Sequence, residues 1–395
     1  MKKFLSMLLA AVMLLSLCAC GKSTTEPAAN EPAPEPSKLL VGFGKACITP
    51  ENSVVLSGYT SNRKSTSVKD DLFIICLAMK SGDETALLFI QDLEFSTANV
   101  TPTIRKEVGG ALDIPQDSIF MAATGTCSAP TLKSENENNV AYLEFYKEAA
   151  MQAAVDAMAD LAPTTLYKAT TETEGLNFVH HYKMVDGTVE DGYYGFFDRE
   201  IEGHVIDADE TMRLVKLQRD GKAPILLVNW QVRADLAYRE DKTQVSADFV
   251  GFMRNKIEAE TDMHVAYFTG AFGDLSAFSK IESENHNLDV QAYGEKLADY
   301  AIAALDNMEY LGGETIGSYT SMYKCPINSQ DFDMADLAKQ VTSQRKELGD
   351  NAADKLAKSL GFNSVYHAAN ISSRMKRVQQ YSIEVAALRM GNFNF

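Results

Sequence analysis

Apolar positions along the chain fall into two periods, and their alternation predicts an α/β fold. Leu39–Ile48 (LLVGFGKACI) is a nearly continuous apolar run and reads as the first strand. Thr49-Pro50 then opens a turn. Asp71–Lys80 and Thr85–Leu93 are two further apolar runs separated by Ser81-Gly82-Asp83, which predicts a hairpin. Val100–Leu112 predicts a helix with a basic middle. Ile119-Phe120-Met121-Ala122 is a short run of the kind found in a buried strand, and it leads into the small and hydroxyl residues Ala123–Pro130. Val140–Leu161 carries the longest helical period, with Val140, Leu143, Ala150, Ala154, Ala157 and Leu161 on one expected face. Asn136–Asn139 can cap this helix, and Pro163 ends it.

The second half continues the alternation. Thr164–Thr171 reads as a strand, and Met212–Leu217 with Pro224–Trp230 flank the hairpin turn Asp220-Gly221. A helix is expected over Phe249–Glu260, a strand over Val265–Phe268 and an amphipathic helix over Asp289–Met308. Ile316–Tyr323 and Tyr381–Met390 are strands, and Met334–Gln379 between them reads as polar helices covering a surface. No internal repeat is visible. The expected architecture is α/β, with mixed β-sheets covered by helices, in one domain spanning residues 38–395.

The segment before this domain has a different pattern. Lys2 and Lys3 precede an apolar run from Phe4 to Leu17, which is too short to span a membrane and reads as a secretory signal. Leu17-Cys18-Ala19-Cys20 resembles the bacterial lipoprotein box, which implies removal of residues 1–19 and lipid on the Cys20 sulfur. An ordinary cleaved signal is the alternative. Acyl chains on Cys20 would anchor the protein to the membrane on the extracytoplasmic face of a bacterial cell. Residues 20–37 are rich in Pro, Glu, Ala and Thr and nearly free of large apolar groups, so a disordered tether is expected.

Composition narrows the partners. The chain has 395 residues, 46% of them hydrophobic, enough for one large core or two smaller ones. The formal net charge of -17 repels phosphate backbones, which excludes nucleic acid as a partner, and it argues against broad electrostatic adhesion to anionic lipid. Cys47, Cys76, Cys127 and Cys325 have irregular spacings that match no zinc pattern. Export would permit disulfides, but the spacings single out no pair, and Cys76 reads as a small core residue.

Candidate chemistry gathers at the strand ends, where α/β proteins place it. Thr124-Gly125-Thr126-Cys127-Ser128-Ala129-Pro130 resembles the Thr-His-Thr-His-Ser-Gly/Ala-Pro signature of the neutral/alkaline (non-lysosomal) ceramidases. Further segments resemble that family in the same order. Gly42, Gly44 and Ile48-Thr49-Pro50, then Gly58-Tyr59, follow its opening pattern, with Cys47 in place of an aspartate. Val228-Asn229-Trp230-Gln231-Val232-Arg233-Ala234 follows Val-Asn-Trp/Phe-x-x-His-Pro, and Ser246–Gly251 follows Ser-Ala-Asp-Tyr/Phe-x-Gly. Gly270–Ser276 resembles Gly/Asn-x-x-Gly-Asp-Val/Leu-Ser/Asn-Pro, with Ala277 replacing the proline. Asn177–Tyr182 stands where the family has Asn-x-x-Arg-Arg-Tyr. Its His180-His181 pair invites a metal reading, but neighbours on a strand point to opposite faces, so a structural or substrate-facing strand is favoured. His264 and His286 are expected to be solvated.

The resemblance implies a neutral-ceramidase-like catalytic domain without the C-terminal β-sandwich of longer members, and a family reaction of zinc-dependent hydrolysis of the N-acyl amide of ceramide. It also places Gly125 and Arg233 at two zinc-ligand positions and Cys127 at a substrate-contacting histidine. The Pro-Gly-Glu turn and the later tyrosine that complete the family's zinc site have no counterpart before Phe395. No bound metal is therefore expected, where the family holds zinc. Asp274 and Ser276 match catalytic-loop positions. Gly125, Cys127, Ser128, Asp92 and Arg233 would line the substrate pocket, which suits a lipid or N-acyl amide ligand. Asp92 is either a carboxylate supporting the site or a solvated strand-end acid. Arg233 either supplies a fixed charge paired with Asp92 or Asp274, or turns to solvent. One functional reading is an inactive or ligand-binding ceramidase-like lipoprotein. Another is a hydrolase of an N-acyl amide or ester working through Cys127, Asp274 and Ser276. A surface solute-binding lipoprotein is a third.

Overall fold

The computed structural model describes residues 38–58, 62–97, 99–192, 200–281, 288–326, 334–374 and 380–395. The expected signal, the Cys20 lipidation site, the tether, Tyr59 and His286 lie outside them.

Two half-sheets of the same topology make up the body. In the first, Leu39–Cys47, Phe73–Ser81 and Glu84–Gln91 run antiparallel, and Ile119–Ala123 adds parallel to the last of them. In the second, Ala162–Glu172, Thr211–Arg219 and Ile225–Trp230 repeat the antiparallel order, and His264–Thr269 adds parallel. Each parallel strand is reached through a helix, Thr101–Leu112 or Phe249–Thr261, and followed by another, Glu137–Ala159 or Val290–Ala304. The halves join through only two register pairs, Leu40 with Pro163 and Val41 with Ala162. The repeat is one of topology, which the apolar pattern does not reveal.

Strict alternation along these strands fills three layers of core. Ile75, Leu77, Leu88 and Ile90 of the first half pack with Val215, Leu217, Leu227 and Ala266 of the second, so the half-sheets lie face to face. Ile74, Cys76, Leu87 and Phe89 point outward to the helices of the first half. Leu214, Leu226, Val228 and Tyr267 do the same toward those of the second. Both faces of Phe73–Ser81, Glu84–Gln91 and Ile225–Trp230 are largely buried, which explains why these strands read as continuous apolar runs, while Ala162–Glu172 and Thr211–Arg219 keep exposed polar positions. The result is a helix–sheet–sheet–helix sandwich, within the expected α/β class.

Close packing decides which face of Glu137–Ala159 turns inward. A Cβ on Gly42 would lie 1.9 Å from the Ala157 carbonyl oxygen, and one on Gly44 2.0 Å from that of Ala153. The helix therefore presents Ala149, Ala150, Ala153, Ala154 and Ala157 to the strand. Tyr142 and Tyr146 join that face because their hydroxyls donate to Ile48 O and Gln91 Oε1. Val140, expected inside, is 51% exposed. Asn136 caps the helix, accepting from Asn138 N.

The segment expected as polar cover is a subdomain with its own core. Helices Ala335–Leu348, Asp350–Ser359 and Val365–Arg374 bury Ala338, Val341, Ala353, Phe362, Val365 and Ile371 among themselves. They are inserted between the paired strands Ile316–Pro326 and Gln380–Met390. His264, expected to be solvated, is half-buried and stacks on Phe43 at 4.2 Å. Burial is the main reason its imidazole is held below the usual histidine range.

Candidate functional site

The two halves bring together the C-terminal ends of their parallel strand pairs, and four loops meet there. Thr124 N donates to Gln91 O at 2.9 Å and Gly125 N to Leu93 O at 3.0 Å, which seats the central loop on the strand-end loop beside it. Cys127 N donates to Ala234 O at 2.9 Å, joining that loop to the second half. The fourth loop contributes Phe272, whose ring lies 3.7 Å from where a Cβ on Gly125 would stand. Gly125 has φ +88°, a conformation open to glycine and strained for a side chain.

Ser246-Ala247-Asp248 buttresses this junction. Ser246 O accepts from Thr126 Oγ1, and Ser246 N donates to Ser128 O. The Ser246 hydroxyl and Ala247 N both donate to Asp70. Asp248 caps the helix Phe249–Thr261 through Phe249 N and accepts from Ala237 N with its other oxygen. Burial pushes the Asp248 carboxyl up to about 7 and that of Asp70 up to about 6.

Two arginines and one glutamate set the electrostatics of the central loop. Arg233 Nη2 lies 3.3 Å from Glu94 Oε1, with side chains 22% and 8% exposed. The other Glu94 oxygen accepts from Gly58 N at 2.8 Å and from the Ser57 hydroxyl. Arg63 donates to Cys127 O at 2.6 Å and to the carbonyls of Ser57 and Lys242, and its guanidinium stacks on Tyr238. Cys127 is fully buried, and burial pushes its thiol up to about 12 despite the opposing pull of Arg233. It is protonated at neutral pH and a poor nucleophile. Ser128 is buried in the same loop.

Arg233 thus has a carboxylate partner, but it is neither of the two expected. Asp92 is buried and pairs with Arg254, which reaches it from the helix Phe249–Thr261 at 2.8 and 3.3 Å. Asp92 Oδ2 also accepts from Phe73 N. It is not a solvated strand-end acid. Asp274 is exposed, and its main-chain carbonyl accepts from His180 N. Glu94 was legible only as a second acid two residues after Asp92, with no pattern to favour it.

Ser276 belongs to a neighbouring cluster. It is buried, accepts from Phe278 N at 3.0 Å, and lines a cavity of about 40 Å³ with His180, Tyr182, Gly192, Arg239, Phe278 and Lys280. The strand Leu275–Ser276 pairs with Phe178–Val179, and the chain then bends at His180 before His181–Met184 begins. The bend cancels the strand alternation, so the His180 and His181 rings stack with centroids 4.5 Å apart. The opposite-face expectation for this pair is corrected accordingly.

No protein-family model and no curated protein sequence matches the chain. Solved structures do. A ceramidase complexed with C2 superposes with a TM-score of 0.60 at 15% identity, covering 75% of this chain and 49% of that one. The neutral ceramidase from Pseudomonas aeruginosa superposes with a TM-score of 0.62 at 12% identity, covering 91% of this chain and 62% of that one. The chain therefore has a ceramidase-like fold and spans about half to three-fifths of the length of these proteins. The zinc that the resemblance implies does not fit the residues at its two marked positions. Gly125 has no side chain, and the Phe272 ring stands in contact distance above it. Arg233 carries a permanent charge with no lone pair for a metal, and that charge faces Glu94.

Proposed function

We propose that this chain is a lipoprotein, held on the extracytoplasmic face of a bacterial membrane through Cys20, whose ceramidase-like domain lacks the family's zinc centre and is inactive in ceramide hydrolysis or binds a lipid or N-acyl amide. The observation that carries the reading is the Arg233–Glu94 pair at 3.3 Å, which sets a fixed cation at a position marked for a metal ligand. Without a metal at that loop, no bound water is acidified there and no amide carbonyl is polarised by it. The guanidinium can instead hold the carbonyl or carboxylate oxygen of a bound acyl compound.

The test is to incubate the full chain with an N-acylsphingosine, with and without added zinc. No release of fatty acid is expected under either condition. Release that Arg233→Ala abolishes would refute the reading. Cys20→Ala should move the protein from the membrane to the soluble fraction, and continued membrane association would place the anchor elsewhere. The competing reading, a hydrolase with a changed mechanism, draws support from Ser276 and His180 lining one cavity. Turnover lost in Ser276→Ala would favour it.

A further inference from the structure

We infer that His180, His181 and Asp191 form a binding site for a divalent metal ion of the zinc class, separate from the Gly125–Arg233 loop. One donor atom from each of the three lies within 4.8 Å of the other two. Secondary structure holds them, since Asp191 ends the strand Val189–Asp191 and is the direct cross-strand partner of His181. The bend at His180 brings the second imidazole to the same side. Gly192 N donates to His180 O at 2.7 Å and closes the bend.

Both ring nitrogens of His180 face oxygen acceptors, an arrangement that suits a cation at this point. Its Nε2 lies 3.3 Å from Gly273 O, a pure acceptor, and donates to it in the tautomer that carries the proton on Nε2. Its Nδ1 then faces Asp191 Oδ1 at 3.0 Å, and a carboxylate oxygen is also an acceptor. Two lone pairs at that distance repel unless a positive charge lies between them. A proton would serve two atoms, giving an imidazolium–carboxylate pair. It would leave the His181 donor unused, whereas a metal ion can take all three.

The His180–Asp191 separation agrees with a metal. Bonds of about 2.1 Å place neighbouring ligand atoms roughly 3.0–3.5 Å apart, which matches the His180–Asp191 separation. The His181 donor, within 4.8 Å of the other two, would have to move closer to complete the set. The contact from His180 Nε2 to a main-chain carbonyl is the outer support that metal-binding histidines commonly have, and it fixes the tautomer. Two imidazoles and one carboxylate suit zinc and its first-row neighbours better than calcium or magnesium, which prefer all-oxygen sites. The cavity of about 40 Å³ that His180 shares with Ser276 offers room for a water ligand.

The full chain, stripped with chelator and dialysed, is titrated with zinc by calorimetry and with cobalt by visible absorption. One ion per chain is expected, with cobalt bands of a nitrogen–oxygen site. His181→Ala and Asp191→Asn should each weaken zinc at least about 100-fold, more than loss of an outer support costs. Arg233→Ala and Ser276→Ala should bind as the unaltered chain does. His181 is half-buried on a short strand, so His181→Ala tests binding with least risk to folding, and matched circular dichroism checks this. Absence of saturable binding, or zinc affinity unchanged in both ligand variants, would overturn the site in favour of a simple imidazolium–carboxylate pair.

Discussion

The pair formed by Asp92 and Arg254 is the strongest single test of how the two halves are held at the site. Asp92 follows a strand of the first half, and Arg254 lies on a helix of the second. Their side chains are 1% and 3% exposed, so both charges are desolvated. Burial alone would lower the Arg254 value, yet the Asp92 charge and hydrogen bond outweigh it and raise the guanidinium above its ordinary range. Asp92→Ala leaves a buried cation unpaired and Phe73 N without its acceptor. An unpaired buried charge costs about 3–5 kcal/mol and an orphaned donor about 1–3, so the upper part of the first range is expected. Arg254→Met should cost about 3–4 kcal/mol, since it also removes the guanidinium lying 5.1 Å from the Phe73 ring centre. The double variant removes both charges, and apolar replacement of a buried pair is often near neutral. Its cost should therefore fall short of the two single costs combined by at least about 3 kcal/mol. Urea unfolding followed by the single tryptophan, Trp230, which is fully buried, and by circular dichroism gives the three values. Single variants costing less than about 1 kcal/mol, or a double variant costing the sum of the singles, would refute the assignment of Asp92 as a paired buried charge.

Gly44→Ala drives a methyl group against the Ala153 carbonyl and should cost about 3 kcal/mol in the same assay, while Gly110→Ala, with nothing within 4 Å of the new Cβ, should stabilise by about 0.5–1 kcal/mol. Cys127 should resist alkylation in the folded protein at pH 8 and react on unfolding, because its thiol is buried and pushed up to about 12; rapid native labelling would contradict its placement. Asp248 and Asp70, raised from 3.8 to about 7 and about 6, stabilise the fold fully below their unfolded value and lose that contribution as pH climbs through 6–7. Stability should accordingly fall between about pH 4 and 7 and level off above, and Asp248→Asn, neutral throughout, should flatten the slope; an unchanged slope would remove Asp248 as its source.

Most elements were legible because each satisfies its own local rule. Phe73–Ser81, Glu84–Gln91 and Ile225–Trp230 read as nearly unbroken apolar runs because they fill two core layers, and the turn Asp220-Gly221 joins two antiparallel strands as expected. What stayed hidden depends on distant partners. The inward face of Glu137–Ala159 is set by glycines a hundred residues earlier, and a helical period alone prefers Val140 over the small alanines. Asp92 and Arg254 are 162 positions apart, and nothing near either names the other. Arg233 could be expected to seek an acid, but the choice of Glu94 over Asp92 follows from the helix that claims Asp92 first. The His180-His181 pair was misjudged because strand alternation holds only within a continuous strand, and a bend of one residue suspends it.

The motif residues that resemble the ceramidases divide, in this structure, by what they touch. Gly42 and Gly44 admit a helix, Thr126 and Ser246 tie two loops, and Asp248 caps a helix while holding a second backbone N–H. Each of these stabilises the sandwich whether or not a reaction occurs at its mouth. Gly125, Cys127 and Arg233 face the loop junction and bear on its chemistry, and there the chain carries no side chain, a protonated thiol and a paired guanidinium. Fold similarity at 12–15% identity is what the first group alone would produce. Among the described residues, the Ser276 cavity is a second place where reactive groups gather, and His180, His181 and Asp191 stand beside it, so the zinc titration bears directly on what chemistry that cavity can hold.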